Sequence, residues 1–270
     1  MTTILLGTQG WNYPAWVGPF YPPGTRPSDL LSVYARAFKT VEVDSTFYAI
    51  PAEAVIQAWK AKVPPGFLFS LKVPQEITHD KMLAGVEVTL TRFVTRAKLL
   101  GDRLGAILIQ LSPEFRPTAK HRASLEHFLG LLAGDVRWAV EFRHADWLTG
   151  QTLDLLRAHG VALALADGRW IKRGLMMEAA IEPTAPFSYV RWMGPQRRVT
   201  DYSHVQVDRE RELAMWAEAF VGLEQRVRTV FGYFNNHFQG HSPASARDFQ
   251  RRMGQTPVAP EALREQAELF

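Results

Sequence analysis

The stretch Arg137-Trp-Ala-Val-Glu-Phe-Arg-His-Ala-Asp-Trp147 opens as an apolar strand and closes in charge. Side chains alternate across a strand, so Glu141 and Arg143 share one face while Val140 and Phe142 take the other, where covering helices can pack. Seven more segments read as strands: Ile4 to Gln9, Thr40 to Thr46, Phe67 to Val73, Ala106 to Leu111, Val161 to Asp167, Ser188 to Met193 and Thr229 to Phe234. With Trp138 to Arg143 they make eight. Between them run segments of helical period, such as Leu30, Val33, Tyr34, Ala37 and Phe38, or Leu213, Trp216, Ala217 and Phe220, each with one apolar stripe. Ser28-Asp29 marks the start of the first helix, Gly160 the end of the one before the sixth strand, and Ser242-Pro243 the N-cap and first residue of the last. Eight strands alternating with helices over about 250 residues predict an α/β fold, a TIM-like (β/α)8 barrel. The competing doubly wound sheet calls for a glycine-rich turn after the first strand. Gly7-Thr-Gln-Gly-Trp11 lacks the third glycine of that turn and runs into aromatics, which disfavours it.

Within 270 residues there is no repeat, low-complexity tract or linker, so the chain reads as a single domain over 1–270 with a short C-terminal tail at 255–270. An apolar share of 47% and a charged share of 21% are those of a water-soluble globular protein, and no apolar run is long enough to span a membrane. The first residues, Met-Thr-Thr-Ile-Leu-Leu-Gly, read as a strand and not as a secretion signal. Cysteine is absent, which removes disulfides and thiolate chemistry and fits a reducing interior. The expected location is the cytoplasm. The net charge of +4 is spread along the chain apart from clusters at Arg169 to Arg173 and Arg197-Arg198. A solvated basic face is the first expectation, and a nucleic-acid partner stays open.

Two connections break the rhythm. Gly10 to Pro27 carries Trp11, Tyr13, Trp16, Phe20 and Tyr21 among prolines and glycines, and is expected to fold over the mouth as a fixed wall or lid, or simply to plug the barrel end. Gly168 to Pro186 has room for at most a short helix.

Polar residues gather at the C-terminal strand ends, where barrel enzymes place their chemistry. They are Gln9, Glu42, Asp44, Thr46, Lys72, Gln110, Glu141, Arg143, Asp167, Arg191, Tyr233 and Asn235. Burying so many ionisable groups is costly unless they pair or bind something, so the alternatives are an internal salt-bridge network, with Glu42 and Arg143 as its inner pair, and a functional site. A binuclear metal centre calls for His-x-His on the first strand, where Gln9-Gly-Trp11 stands, and Gly240 between His237 and His241 argues against two ligands on one helical face. No metal or organic cofactor is expected. Glu42, Glu141 and Asp167 are the candidate acids and bases. Lys72, Arg143 and Arg191, with the loop from Asn235 to Ser242 at the start of the last helix, suit an anion.

These strand ends also carry a resemblance. Gly7-Thr-Gln-Gly-Trp11, Trp16-Val-Gly-Pro-Phe-Tyr-Pro22, Thr40-Val-Glu-Val-Asp-Ser-Thr-Phe-Tyr48, Phe69-Ser-Leu-Lys-Val-Pro74 with Ile77-Thr-His79, Leu104-Gly-Ala-Ile-Leu-Ile-Gln-Leu111, Val140-Glu-Phe-Arg-His144, Tyr189-Val-Arg191 and Tyr233-Phe-Asn-Asn-His237 stand in order along the chain. The chain resembles the domain of unknown function 72 family, the YecE-like proteins, over nearly its whole length. The resemblance implies a TIM-like barrel and a pocket role for Glu42, Lys72, Gln110, Glu141, Arg143, Asp167, Arg191 and Asn235, with no established activity. The sequence departs from the family pattern at Met193 before Gly194 and at Ser245-Ala246, where an Asn-Ala pair is expected.

The leading expectation is an enzyme acting on a small polar anion by hydrolase, isomerase or lyase acid-base chemistry. Arg143, Arg191 and Lys72 would hold the charge, and Gln110, Tyr233, Asn235, Asn236, His237 and Trp11 would line or orient the substrate. The alternatives are a nucleic-acid-associated protein gripping a single-stranded or flipped base with the first-loop aromatics, or a non-catalytic metabolite sensor.

Overall fold

A computed structural model describes residues 2–195 and 199–265, so the expected Arg197-Arg198 cluster lies outside the described residues. Strands β1 (Thr3–Thr8), β2 (Thr40–Val43), β3 (Leu68–Lys72), β4 (Leu104–Gln110), β5 (Trp138–Glu141), β6 (Ala162–Gly168), β7 (Phe187–Gly194) and β8 (Thr229–Phe234) lie parallel in the order β1-β8-β7-β6-β5-β4-β3-β2. Helices α1 (Leu30–Ala37), α2 (Glu53–Ala61), α3 (Glu87–Lys98), α4 (Ala119–Gly130), α5 (Gly150–Ala158), α6 (Arg173–Ala180) and α7 (Glu210–Glu224) link successive strands. After β8 come α8 (Asn236–Gln239), α9 (Ser242–Arg252) and α10 (Pro260–Glu265). This is the expected eight-stranded α/β barrel.

The seam between β1 and β2 closes differently from the others. Its one bridge joins Gln9 to Glu42, with the Gly10 amide donating to the Glu42 carbonyl at 2.8 Å. Below that, the Tyr34 phenol stands in for the missing ladder, accepting from the Thr8 amide at 2.9 Å and donating to the Thr40 carbonyl at 3.0 Å. Gly7 makes room for this approach, since a Cβ there would lie 2.2 Å from the Thr40 oxygen.

Strand alternation divides the core in two. Leu5, Ala106, Leu108, Ala139, Ala162, Ala164, Phe187, Tyr189, Phe231 and Tyr233 fill the barrel, while a larger shell including Val41, Leu71, Ile107, Val140, Leu163, Leu165, Val190 and Trp192 packs under the helices. The strand β2 stops at Val43, earlier than its sequence suggests, because Ser45–Phe47 turns into a 3-10 helix and the Thr46 hydroxyl caps β3, bonding the Lys72 amide at 2.9 Å and its carbonyl at 2.8 Å. The connection after β6 holds the expected short helix, the eight residues of α6. The segment from Gln255, expected as a tail, docks beneath the barrel: its side chain donates to the Ile4 carbonyl at 3.0 Å, and α10 buries Leu263 while Arg36 of α1 reaches the Leu263 carbonyl.

The first connection is a wall. Trp16, Phe20 and Tyr21 are fully buried and pack with one another and with Tyr34 and Phe38 of α1. Burying aromatics of this size contributes more than a surface loop requires, which fixes the segment instead of leaving it free to open.

Candidate functional site

Inward-facing side chains rise through the barrel in layers. In the deep polar layer, the Tyr233 hydroxyl bonds Thr40 at 2.7 Å and Ser70 at 2.8 Å. Tyr233 therefore serves as a floor beneath the mouth.

Above it lies Arg191, fully buried. Its Nε and Nη2 donate to both oxygens of Glu42 at 2.9 and 2.7 Å, its Nη1 donates to Glu141 Oε2, and Tyr189 donates its hydroxyl to Glu42 at 2.7 Å. Glu141 also accepts from Gln110 at 3.0 Å and from Arg143 at 3.4 Å. Burial disfavours the charge on Arg191, yet the two carboxylates outweigh it and hold the guanidinium ionised. The same opposition splits the carboxylates. Burial is the largest influence on both, and at Glu42 it wins, pushing the carboxyl above its usual range despite Arg191. At Glu141 the charges of Arg191 and Arg143 overcome it and bring the carboxyl down to about 2.

A cavity of about 250 Å³ opens from this layer toward the mouth, lined by Glu141, Arg143, Arg169, Trp170, Asn235 and His237 among others. Small inward residues of β6, ending in Ala166 and Gly168, leave the space. Gly194 closes its β7 side with φ +75°, where a Cβ would meet the His237 carbonyl at 2.4 Å. Two guanidiniums approach one indole at the rim: Arg169 lies 4.3 Å and Arg143 5.6 Å from the Trp170 ring. On the other side of the mouth Lys72 pairs with Asp44 at 3.2 Å and sits 4.5 Å over the Phe47 ring. Three carboxylates thus answer Lys72, Arg143 and Arg191, while Arg169 has no carboxylate within ion-pair distance among the described residues.

The structure brings Glu42, Lys72, Gln110, Glu141, Arg143, Arg191, Asn235 and His237 to this end of the barrel and rearranges several expected roles. Glu42 pairs with Arg191 and not with Arg143, because both side chains point into the fully buried layer while Arg143 lies past the end of β5 beside Glu141. Asp167 is turned away from the mouth. It has the parity of Leu163 and Leu165, faces the helices, and bonds Arg173 at 2.7 Å and the Trp216 indole at 2.8 Å. Asn236 is buried and structural: its Oδ1 accepts from Trp16 Nε1 at 3.2 Å and from the Ser242 amide and hydroxyl at 3.0 and 2.9 Å. That amide was the expected anion donor of α9, and Asn236 already occupies it; Pro243 offers none. Trp11 packs on Trp59 and is not part of the cavity lining, and Ser245, where the resemblance leads to an Asn being expected, donates to the carbonyl of His241, the residue before α9. His237 and His241 each meet Tyr202, at 3.2 Å to its hydroxyl and 2.7 Å to its carbonyl. No helix among the described residues is long and apolar enough to cross a membrane.

Replacing Asn236 by alanine leaves three buried donors without their acceptor and is expected to cost roughly 1–3 kcal/mol of stability. Urea unfolding measures it, and an unchanged midpoint would show that water takes over the role.

Two residues escaped the strand-end reading because they sit in connections. Arg169 follows β6. His79 lies in the π-helical turn Glu76–Asp80 after β3, its Nδ1 2.9 Å from the Thr78 hydroxyl and its ring edge-to-face on Phe47 at 5.0 Å. Single π turns are rare and frequently found at functional sites.

The model of the family described as "Protein of unknown function DUF72" matches residues 5–268. The chain belongs to this family. The UPF0759 protein YecE of Escherichia coli K12 is 32% identical over 171 residues, a stretch covering 62% of this chain and 60% of YecE. The UPF0759 protein YunF of Bacillus subtilis 168 is 26% identical over 262 residues, covering 88% of this chain and 90% of YunF. A DUF72 protein of Thermotoga maritima superposes with a TM-score of 0.80 at 26% identity, covering 94% of this chain and 100% of its own. A DUF72 protein of Enterococcus faecalis, at 22% identity and a TM-score of 0.75, shares the fold.

Proposed function

We propose that this DUF72 protein is a cytoplasmic enzyme that binds a small polar anion in the barrel mouth and acts on it by acid-base chemistry. The observation that carries this reading is the pair Arg143 and Arg169 on one wall of the cavity. Arg169 has no carboxylate within ion-pair distance among the described residues, and the Glu141 charge beside Arg143 is already engaged by Arg191. The Arg169 charge opposes that of Arg143, so an anion seated beside the two relieves the opposition, and a planar guanidinium suits a carboxylate or phosphate. Asn235, held by its amide donating to Gln9 at 2.8 Å, and His237 orient the neutral part of the substrate. The role of Arg191 shifts from anion holder to fixing Glu141. A carboxyl held near 2 is too weak a base for efficient proton abstraction at neutral pH, so Glu141 serves as an acceptor for a substrate hydroxyl or amine.

Sulfate, phosphate and small carboxylates titrated calorimetrically are expected to bind the wild type saturably, and Arg143→Gln and Arg169→Gln are each expected to bind about ten-fold more weakly. Absence of saturable binding, or equal binding by all three proteins, sinks the reading. Turnover of a bound metabolite then separates enzyme from sensor. A nucleic-acid role is favoured by one feature, the exposed Trp170 and Tyr48, 40% and 74% accessible, beside the basic rim. Since Trp16, Phe20 and Tyr21 are packed away, any base would stack on those two. Oligonucleotide binding that falls steeply with salt would support it.

A further inference from the structure

We infer that the anion taken by the barrel mouth is an aromatic carboxylate, its charge on Arg143 and Arg169 and its ring against the apolar surface of Met193, Ile171 and Met176. This inference rests on the anion reading above and deepens it by naming the ligand class. The cavity stands over the end of β6, where Ala166 and Gly168 leave it room, and β5 and β7 pair with β6 on opposite sides. Arg143 follows β5. Met193 is on β7 and comes so near that a Cβ built on Gly168 would lie 3.2 Å from its own. The two flanks therefore differ in chemistry, guanidinium on one and thioether on the other. Ile171, from the connection after β6, and Met176 of α6 add apolar surface to the lining, and both are anchored in the core beneath the helices.

An inorganic anion would use the cationic flank alone and leave the apolar surface facing water, whereas a ligand with an apolar group of its own covers both. The size fits a ring. A dry cavity of ~150 Å³ holds benzene, so about 250 Å³ takes a phenyl ring with a carboxylate beside it. Thioethers also suit an aromatic occupant, because polarizable sulfur packs favourably at ring edges and an unbranched side chain adapts to them. The Met193 sulfur is itself held, accepting from the Gln9 amide at 2.9 Å while Gln9 accepts from Asn235 at 2.8 Å. Glu141 lines the cavity too, and its repulsion directs the ligand's carboxylate toward Arg169.

The probes are acetate and phenylacetate, titrated calorimetrically into the full chain at pH 7. Phenylacetate is expected to bind about 30-fold more tightly than acetate, within the range for burying one phenyl group, and with the more negative heat-capacity change. Met193→Gln, close in size but polar, is expected to shrink that ratio several-fold. Arg169→Gln is expected to weaken both ligands by a similar factor and so keep the ratio. If acetate binds and phenylacetate binds no tighter, the aromatic class is wrong although the anion site survives. A ratio that Met193→Gln leaves untouched overturns the inference as well, and binding of neither ligand removes the anion site and this inference with it.

Discussion

Replacing Arg191 by methionine is expected to lower the unfolding free energy by roughly 3–5 kcal/mol at pH 7, because it leaves two buried carboxylates facing each other with no cation between them. Methionine keeps much of the volume, so the loss is electrostatic and not a cavity effect. The carboxylates limit the damage by taking up protons. Protonating at pH 7 a carboxyl whose ordinary value is 4.5 costs about 3 kcal/mol, which matches the low end of the expected loss and gives it a pH dependence. At pH 5 protonation is nearly free, and the penalty of the variant should shrink accordingly. Arg143→Met offers the contrast: that side chain is partly open to the mouth and makes one 3.4 Å contact with Glu141, so its loss is expected to stay within about 1 kcal/mol. Urea unfolding of both variants at the two pH values tests the assignment. Equal losses for Arg143→Met and Arg191→Met would mean that Arg191 does not hold the layer together.

That contrast reverses what strand ends alone suggest, and the reason lies in what alternation can encode. Parity along each strand assigns Gln9, Glu42, Lys72, Gln110, Glu141, Arg191 and Asn235 to the inside, and all seven are there. The same parity argues against Asp167, whose neighbours Ala164 and Ala166 face inward while Leu163 and Leu165 face out, although its position at a strand end suggests the mouth. Which inward residues meet is a property of barrel diameter and stagger. Glu42, Glu141 and Arg191 come from β2, β5 and β7 and touch across the lumen, a relation between residues up to 149 apart that no local pattern records. Loop residues are less legible still. Arg169 looks like part of a surface cluster, and only the small side chains of β6 beneath it turn that cluster into a cavity wall. His79 was visible as part of a family-like motif, but its nearness to Lys72 depends on both resting against Phe47.

Lowering the pH from 4.5 to 2 is expected to remove on the order of 3 kcal/mol of stability through Glu141 alone, and this loss should disappear in Glu141→Gln. The folded carboxyl titrates near 2 and the unfolded one near 4.5, so within that window the unfolded chain binds more protons and acid favours unfolding. Stability from Glu141 is therefore fully present above 4.5 and lost as pH falls through 2. Glu42 carries the opposite sign. Its folded carboxyl titrates above the unfolded value, so the folded protein binds the proton more tightly, and stability declines as pH rises from 4.5 through the folded midpoint. The two slopes meet in a maximum on the acid side of neutrality. They arise from one guanidinium, whose charge satisfies Glu141 with help from Arg143 but leaves Glu42 deeper and less well compensated. Exposed acids such as Glu76 and Asp135 also lose partners in acid, so the readout is the difference between variant and wild type across pH 2.5 to 7 and not the wild-type curve itself. Glu141→Gln should flatten only the limb below 4.5, and Glu42→Gln only the limb above it. Parallel curves for Glu141→Gln and the wild type below pH 4.5 would show that the Arg191 charge is not what keeps Glu141 ionised.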